Sequence, residues 1–321
     1  MNIVVLPLLL AAHLMCMNVA SAGPLVCLWL EWKEQRGDKL AGRAGRYLAG
    51  SGVVLLLVGV LWGLGLGAVL WNDAYLAAIK HVRSRVEFGV AELVFSLALM
   101  VAHYVWWRMR PECSAIERWL RMALPLAAGT NTLYHFPPLF VILSQLSAAA
   151  GPLGEPMTSA EFRARLLDGE VLARSLHFVL AAFAMCGVML IGYALRLGRQ
   201  GAKDDEVQRA AVWGGWLALV PTVAQALVGL WVLLSFPEPV KMALMGQDLA
   251  ATFLLGLSII SALGLMHQLA VVAFGEMQRR ALVRAMVSMV VVVTLMCFTV
   301  ERIRNIPRPP PQPNAAQAKA A

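Results

Sequence analysis

Charge is scarce in this sequence: 14% of its 321 residues are Asp, Glu, Lys or Arg, while 60% are apolar or aromatic. A soluble domain carries roughly a quarter charged residues, so a chain this poor in charge cannot coat itself with polar groups. Cysteine is scarce too. The five (Cys16, Cys27, Cys113, Cys186 and Cys297) show no CxxC spacing, and four lie inside apolar runs, where they read as small packing residues. No metal-hydrolase motif, P-loop or nucleotide-binding fingerprint occurs. Together these absences exclude a soluble enzyme, a nucleic-acid-binding domain and a disulfide scaffold.

What the sequence has instead is long apolar runs. A transmembrane helix needs about 20 apolar residues, and at least eight stretches qualify. They fall at roughly 3–30, 47–70, 86–107, 119–147, 174–197, 211–236, 247–274 and 284–301. The expected fold is an all-α integral membrane protein, a bundle of about eight transmembrane helices over residues 1–306. The first run resembles a signal peptide with Ala20-Ser21-Ala22 as the cleavage site. No basic residue precedes its apolar core, however, and apolar character continues to Leu30, so it is read as a retained span. Small residues recur inside spans, as at Gly59, Gly63, Gly65 and Gly67, and permit close helix approach. Pro137-Pro138 predicts a kink or local opening in the fourth span. The Pro-rich segment 307–321 has no core-forming pattern and is expected to be disordered.

The net charge of +8 sets orientation. Basic residues on one side are Lys33, Arg36, Lys39, Arg43, Arg46, Arg108, Arg110, Arg118, Arg121, Arg196, Arg199, Lys203, Arg209, Arg279, Arg280 and Arg284; the other side has fewer. The positive-inside rule puts the richer side in the cytoplasm and both termini outside, in a bacterial-type inner membrane.

Ionisable side chains inside spans are costly and mark function by default. They are His13, Glu87, Glu92, His103, His135, His177 and His267. At 1.5 Å per residue, His13 lies near mid-membrane, His135, His177, Glu87 and Glu92 lie in the outer half, and His103 and His267 lie near the cytoplasmic edge. His81 falls in an outer loop and reads as solvated. An inward-facing imidazole with a Met or second His opposite is how helical bundles hold haem iron. A lone membrane histidine also serves simply as an interhelical hydrogen-bonding group. Glu87 has Arg83 at i, i+4 as a local ion-pair partner, whereas Glu92 has none.

Four features in order resemble subunit I of the cytochrome bd quinol oxidases over roughly residues 1–200. They are an N-terminal span with His13, ending Leu30-Glu31; a third span with Glu87 early and Trp106 late; Gly129-Thr130-Asn131 with Gln145 downstream; and SLHFVLAAFAMCGVMLIGYALRL around His177. The resemblance implies that His13 binds a haem of the active-site pair and that Glu87 or Glu92 serves haem or proton transfer as a catalytic residue. It implies that His177 is an axial ligand of a low-spin haem b, with Met245 (or Met242) as the opposite ligand. The long loop between spans six and seven of that family is absent, since only residues 236–246 connect them.

The leading expectation is therefore a haem-b-binding membrane subunit of a respiratory electron-transfer complex, an oxidoreductase subunit if the resemblance extends to activity. Its partners would be membrane lipid, other respiratory subunits such as a cytochrome c or iron–sulfur protein, and a quinone, with no nucleic acid. A second expectation adds a bis-His haem near the cytoplasmic face on His103 and His267. A third, from another class, is a cofactor-free transporter or assembly protein using intramembrane His and Glu as a proton or substrate path.

Overall fold

The computed structural model describes residues 2–110, 113–149, 152–304 and 306. The segment 307–321, expected to be disordered, lies outside the described residues. Within lipid every backbone N–H and C=O must be satisfied inside the segment, and the long described segments meet this as helices. The long ones are α1 (Asn2–Gln35), α2 (Lys39–Leu70), α4 (Arg83–Met109), α5 (Ala115–Ser147), α7 (Gly169–Arg199), α8 (Asp204–Ser235), α10 (Leu249–Ala273) and α11 (Arg279–Arg304). Three short helices lie in the links: α3 (Asp73–His81), α6 (Ser159–Leu166) and α9 (Glu238–Met242). A π-helical turn, Ala243–Gln247, joins α9 to α10 and closes on Gly246, whose φ of 128° suits a residue without Cβ.

Seven of the long helices are long and apolar enough to cross a membrane, and the protein is multi-pass. The eighth long helix, α5, is more polar through Gly129-Thr130-Asn131-Thr132 and Tyr134-His135. Its Pro137 and Pro138 lie within helix that continues to Ser147, and Pro137 is buried. The kink expected at this pair is not a break, because the helix resumes and neighbours pack against it.

The helices begin where side chains supply caps for orphan amides. Asp38 accepts from Ala41 N at α2, Asp168 from Glu170 N and Val171 N at α7, and Asp248 from Ala250 N and Ala251 N at α10. Ser114 with Glu117, and Thr158 with Glu161, form reciprocal capping boxes on α5 and α6. Several helices outrun the apolar stretches that predict them. For α1 this brings Glu31 inside the bundle.

Successive long helices run antiparallel. One end of the bundle, here the turn end, carries the α1–α2, α4–α5, α7–α8 and α10–α11 connections; the far end carries α3, α6, α9 and the π turn. Two four-helix groups result, α1/α2/α4/α5 and α7/α8/α10/α11, and α1 packs on α2, α5, α7 and α11, so it joins the groups. The main core runs through Leu30, Leu48, Cys186, Ile191, Leu265 and Leu282. At the α7–α8 seam a Cβ on Gly187 would stand 2.4 Å from Ala218 N, a separation open only to glycine. Large apolar side chains such as Leu61, Phe95, Leu227 and Ile260 stay exposed on the outer helix faces, as lipid contact requires.

Candidate functional site

Among the described residues, three polar groupings inside the bundle contain residues that the sequence singles out. The first is built on His13. Its Nδ1 is 2.8 Å from the carbonyl of Gly59 on α2, and a Cβ on Gly63 would stand 2.9 Å from its Cε1. The imidazole therefore sits close against a glycine face through Cε1 and Nδ1, and donation from Nδ1 leaves Nε2 as the acceptor nitrogen. Gly52 of α2 faces Met100 of α4, where its Cβ would lie 3.2 Å from the methionine methyl. Since α2 and α4 run antiparallel, Glu92 lies at about the depth of Gly59. Asn131 of α5 meets α4 there, its Nδ2 donating to the Glu92 carbonyl at 3.2 Å and to Ser96 Oγ at 2.9 Å. His13, the Glu92 backbone and Asn131 thus share one level of the first four-helix group.

The second grouping is His177 on α7. Gln225 of α8 reaches it, with its Nε2 3.3 Å from His177 Nε2 and 3.3 Å from the His177 carbonyl oxygen. The buried Nδ1 has no hydrogen-bond partner among the described residues. Gly229 lies beyond, where a Cβ would be 3.9 Å from Cε1. Gln225 gave no sequence signal of its own; only its placement three helical turns from Gly214 on the stripe facing α7 identifies it.

The third grouping is near the turn end. Glu31 of α1 accepts from Arg121 Nε of α5 at 2.7 Å and lies 3.1 Å from His103 Nε2 of α4, with all three side chains buried. Arg121 also donates to the Arg110 carbonyl at 2.5 Å. One turn further, Glu34 accepts from Trp107 Nε1 at 2.6 Å and from Arg46 at 2.7 Å. His103, placed by the sequence near the cytoplasmic edge, is a buried member of this network. Arg121 reads from the sequence as a loop cation, yet it is a core residue.

The other predicted residues lie apart. Glu87 is exposed and pairs with Arg83 at 2.6 Å, the local i, i+4 partner. His135 is half-buried and meets the edges of Phe88 and Tyr134. His267 is exposed on α10 and His103 is buried on α4, helices that do not pack together, so the structure does not bring these two histidines to one site. Met245 is 71% exposed on the π turn, and Met242 is 40% exposed. His81 is not solvated as expected: it ends α3, its carbonyl accepts from Met157 N, and its buried Nδ1 has no hydrogen-bond partner among the described residues.

Among the described residues no group of three or more His, Cys, Asp or Glu could chelate a metal ion. Haem has a smaller demand, because the porphyrin supplies four nitrogens and the protein only the axial donors. His13 fits that demand in its donor chemistry. A ligating histidine commonly gives its other ring N–H to a backbone carbonyl, as His13 gives Nδ1 to Gly59. At His177 the lone pair lies on Nε2, which accepts from Gln225 Nε2, while the buried Nδ1 carries the ring proton and has no hydrogen-bond partner among the described residues. Met245 shares the far end of the bundle with His177, which lies about 12 Å along α7 from its first residue.

No protein-family model matches the sequence, and no curated protein matches it. Among solved structures, a chain of the bd oxidase from Geobacillus thermodenitrificans superposes with a TM-score of 0.75, covering 94% of this chain and 85% of that one at 13% sequence identity. Over that span the chain has the fold of the bd oxidase chain.

Proposed function

We propose that this protein is a haem-b-binding membrane subunit of a respiratory electron-transfer complex, similar to subunit I of cytochrome bd. The observation that carries the proposal is the fold shared with a bd oxidase chain over 94% of the sequence, with imidazoles at both helical groups. When bound, haem iron supplies one-electron transfer at a potential set by its axial ligands and burial. His13 and His177 would hold it, with Met245 as the second donor beside His177. Gly59 fixes the His13 tautomer, and Gln225 orients His177 across the α7–α8 seam. Asn131 ties α5 to α4 at the level of Glu92, which keeps that carboxylate's helix in register with His13.

The turn end is proposed to face the cytoplasm. Most basic residues cluster there, as the positive-inside rule requires. Partners would be further subunits seated against the exposed apolar helix faces, with a quinone or a cytochrome c as donor. The test is a reduced-minus-oxidised visible spectrum of the protein purified from a haem-competent host. Haem b bands are expected, and His177→Ala should remove a low-spin signal while leaving the protein inserted. A spectrum with no haem bands would overturn the proposal, and an unchanged spectrum in His177→Ala would overturn the His177 assignment.

A further inference from the structure

Where α1, α2, α4 and α5 meet below the His13 level there is a cavity of about 10 Å³, lined by Pro24, Cys27, Gly52, Met100, His103 and Pro125 among others. Roughly one water-sized sphere fits such a space. Its three chemically active walls are a thiol, a thioether and an imidazole, each at least nine-tenths buried: Cys27 1%, Met100 4% and His103 2% exposed. Met100 and His103 are i, i+3 on one face of α4, and Cys27 approaches from α1, its thiol donating only a long 3.6 Å bond to the Gly45 carbonyl. The chemistry of His103 is fixed from behind. Its Nε2 faces the carboxylate of Glu31 at 3.1 Å, so the proton of a neutral ring sits on Nε2 and the lone pair on Nδ1. Among the described residues Nδ1 has no hydrogen-bond partner.

A carboxylate behind a histidine whose other nitrogen opens on a cavity is the usual outer shell of a metal ligand. The donors select the metal. Thiolate and thioether with one imidazole favour monovalent copper, whereas magnesium and calcium require several oxygens that this cavity does not offer. Charge selects it again. Arg121 already balances Glu31 at 2.7 Å. If Cys27 loses its thiol proton to solvent on binding, its thiolate and a monovalent ion leave no net charge in the buried space. A divalent ion would leave one uncompensated positive charge in a space that excludes water, which disfavours it.

We propose that Cys27, Met100 and His103 form a buried Cu(I) site, with Glu31 and Arg121 as its outer shell. The site is separate from the proposed haem positions and stands whether or not haem binds. It uses a thioether donor, so it is not one of the all His/Cys/Asp/Glu clusters absent from the described residues. The test uses the purified full-length protein in detergent, without oxygen, mixed with the Cu(I)–bicinchoninate complex. After gel filtration, copper is counted by elemental mass spectrometry.

One tightly held equivalent is expected, with a mixed sulfur and nitrogen first shell by X-ray absorption. Cys27→Ser and Met100→Leu should each weaken retention by about tenfold or more. Cys186→Ser, at a buried thiol outside the cavity, should change nothing. Met100→Leu conserves volume and is the variant to read if Cys27→Ser folds poorly. Failure of the wild type to take copper from bicinchoninate, or equal retention in Met100→Leu, would overturn the proposal, as would tighter binding of zinc at the same residues.

Discussion

Arg121 on α5 and Glu31 on α1, ninety residues apart in sequence, meet at 2.7 Å with side chains only 2% and 0% exposed. Removing one member of such a pair strands the other charge in a medium of low dielectric, at a cost of about 3–5 kcal/mol. Replacing both with apolar groups of similar size removes that penalty, and in other proteins such swaps are neutral or stabilising. Arg121→Met is therefore expected to lower the unfolding midpoint in detergent sharply, and Glu31→Leu with Arg121→Met should recover most of the loss. A double-mutant cycle in thermal unfolding measures this; strictly additive losses would mean the ion pair does not couple α1 to α5.

The α7–α8 seam depends on the absence of side chains. A Cβ on Gly187 would lie 2.4 Å from Ala218 N and 2.6 Å from Gly214 O, both rigid backbone atoms that cannot yield. Gly187→Ala should separate the helices and cost about 1–3 kcal/mol, seen as a lower unfolding temperature and aggregation after solubilisation. Gly256→Ala is the internal comparison. A Cβ there meets nothing within 4 Å, and alanine is the better helix former, so that variant should be as stable as the parent or slightly more so.

Acid should loosen the start of α10 before the rest of the bundle. Asp248 caps the helix and accepts from Arg302 Nε of α11 at 2.8 Å, and that hydrogen bond chiefly holds its carboxyl below the usual carboxylate range. The folded value is lower than the unfolded one, so the stabilisation is complete above the unfolded value of about 3.9 and fades as pH falls through the folded value. Amide exchange at Ala250 and Ala251 should accelerate in that acid window. In Asp248→Asn, which keeps the cap acceptor without the charge, the pH dependence should disappear.

The membrane architecture is legible in the sequence because lipid imposes a simple rule: about 20 apolar residues per crossing, with basic residues in the links. The helix ends are less legible. Leu30 closes the first apolar run, yet α1 continues to Gln35 because Glu31 and Glu34 find cationic and indole partners from α2, α4 and α5. Composition is blind to partners that distant in sequence. Arg121 misleads for the same reason, since an arginine beside an apolar run reads as a loop anchor until its carboxylate is known. His13 and His177 stand out as ionisable residues in apolar helices. Gly59 and Gln225 do not, because a backbone carbonyl and an uncharged amide in a span carry no sequence signal until two helices are brought together.

His13 rests against the glycine face of α2, and that contact gives a test of the haem proposal that leaves every ligand in place. Alanine at Gly63 would put a Cβ 2.9 Å from His13 Cε1 and 3.1 Å from Nδ1, so the ring must rotate or retreat. Two residues on, Gly65 has nothing within 4 Å of its Cβ position, and alanine there is harmless. If His13 carries an axial nitrogen, Gly63→Ala should shift or broaden the absorption and paramagnetic resonance signals of that haem. Gly65→Ala should leave both as they are. Equal spectra for the two variants, with equal unfolding temperatures, would mean that no chromophore depends on the His13 ring. The 2.8 Å bond to Gly59 would then be what holds that imidazole in the membrane, a tie between α1 and α2 and nothing more.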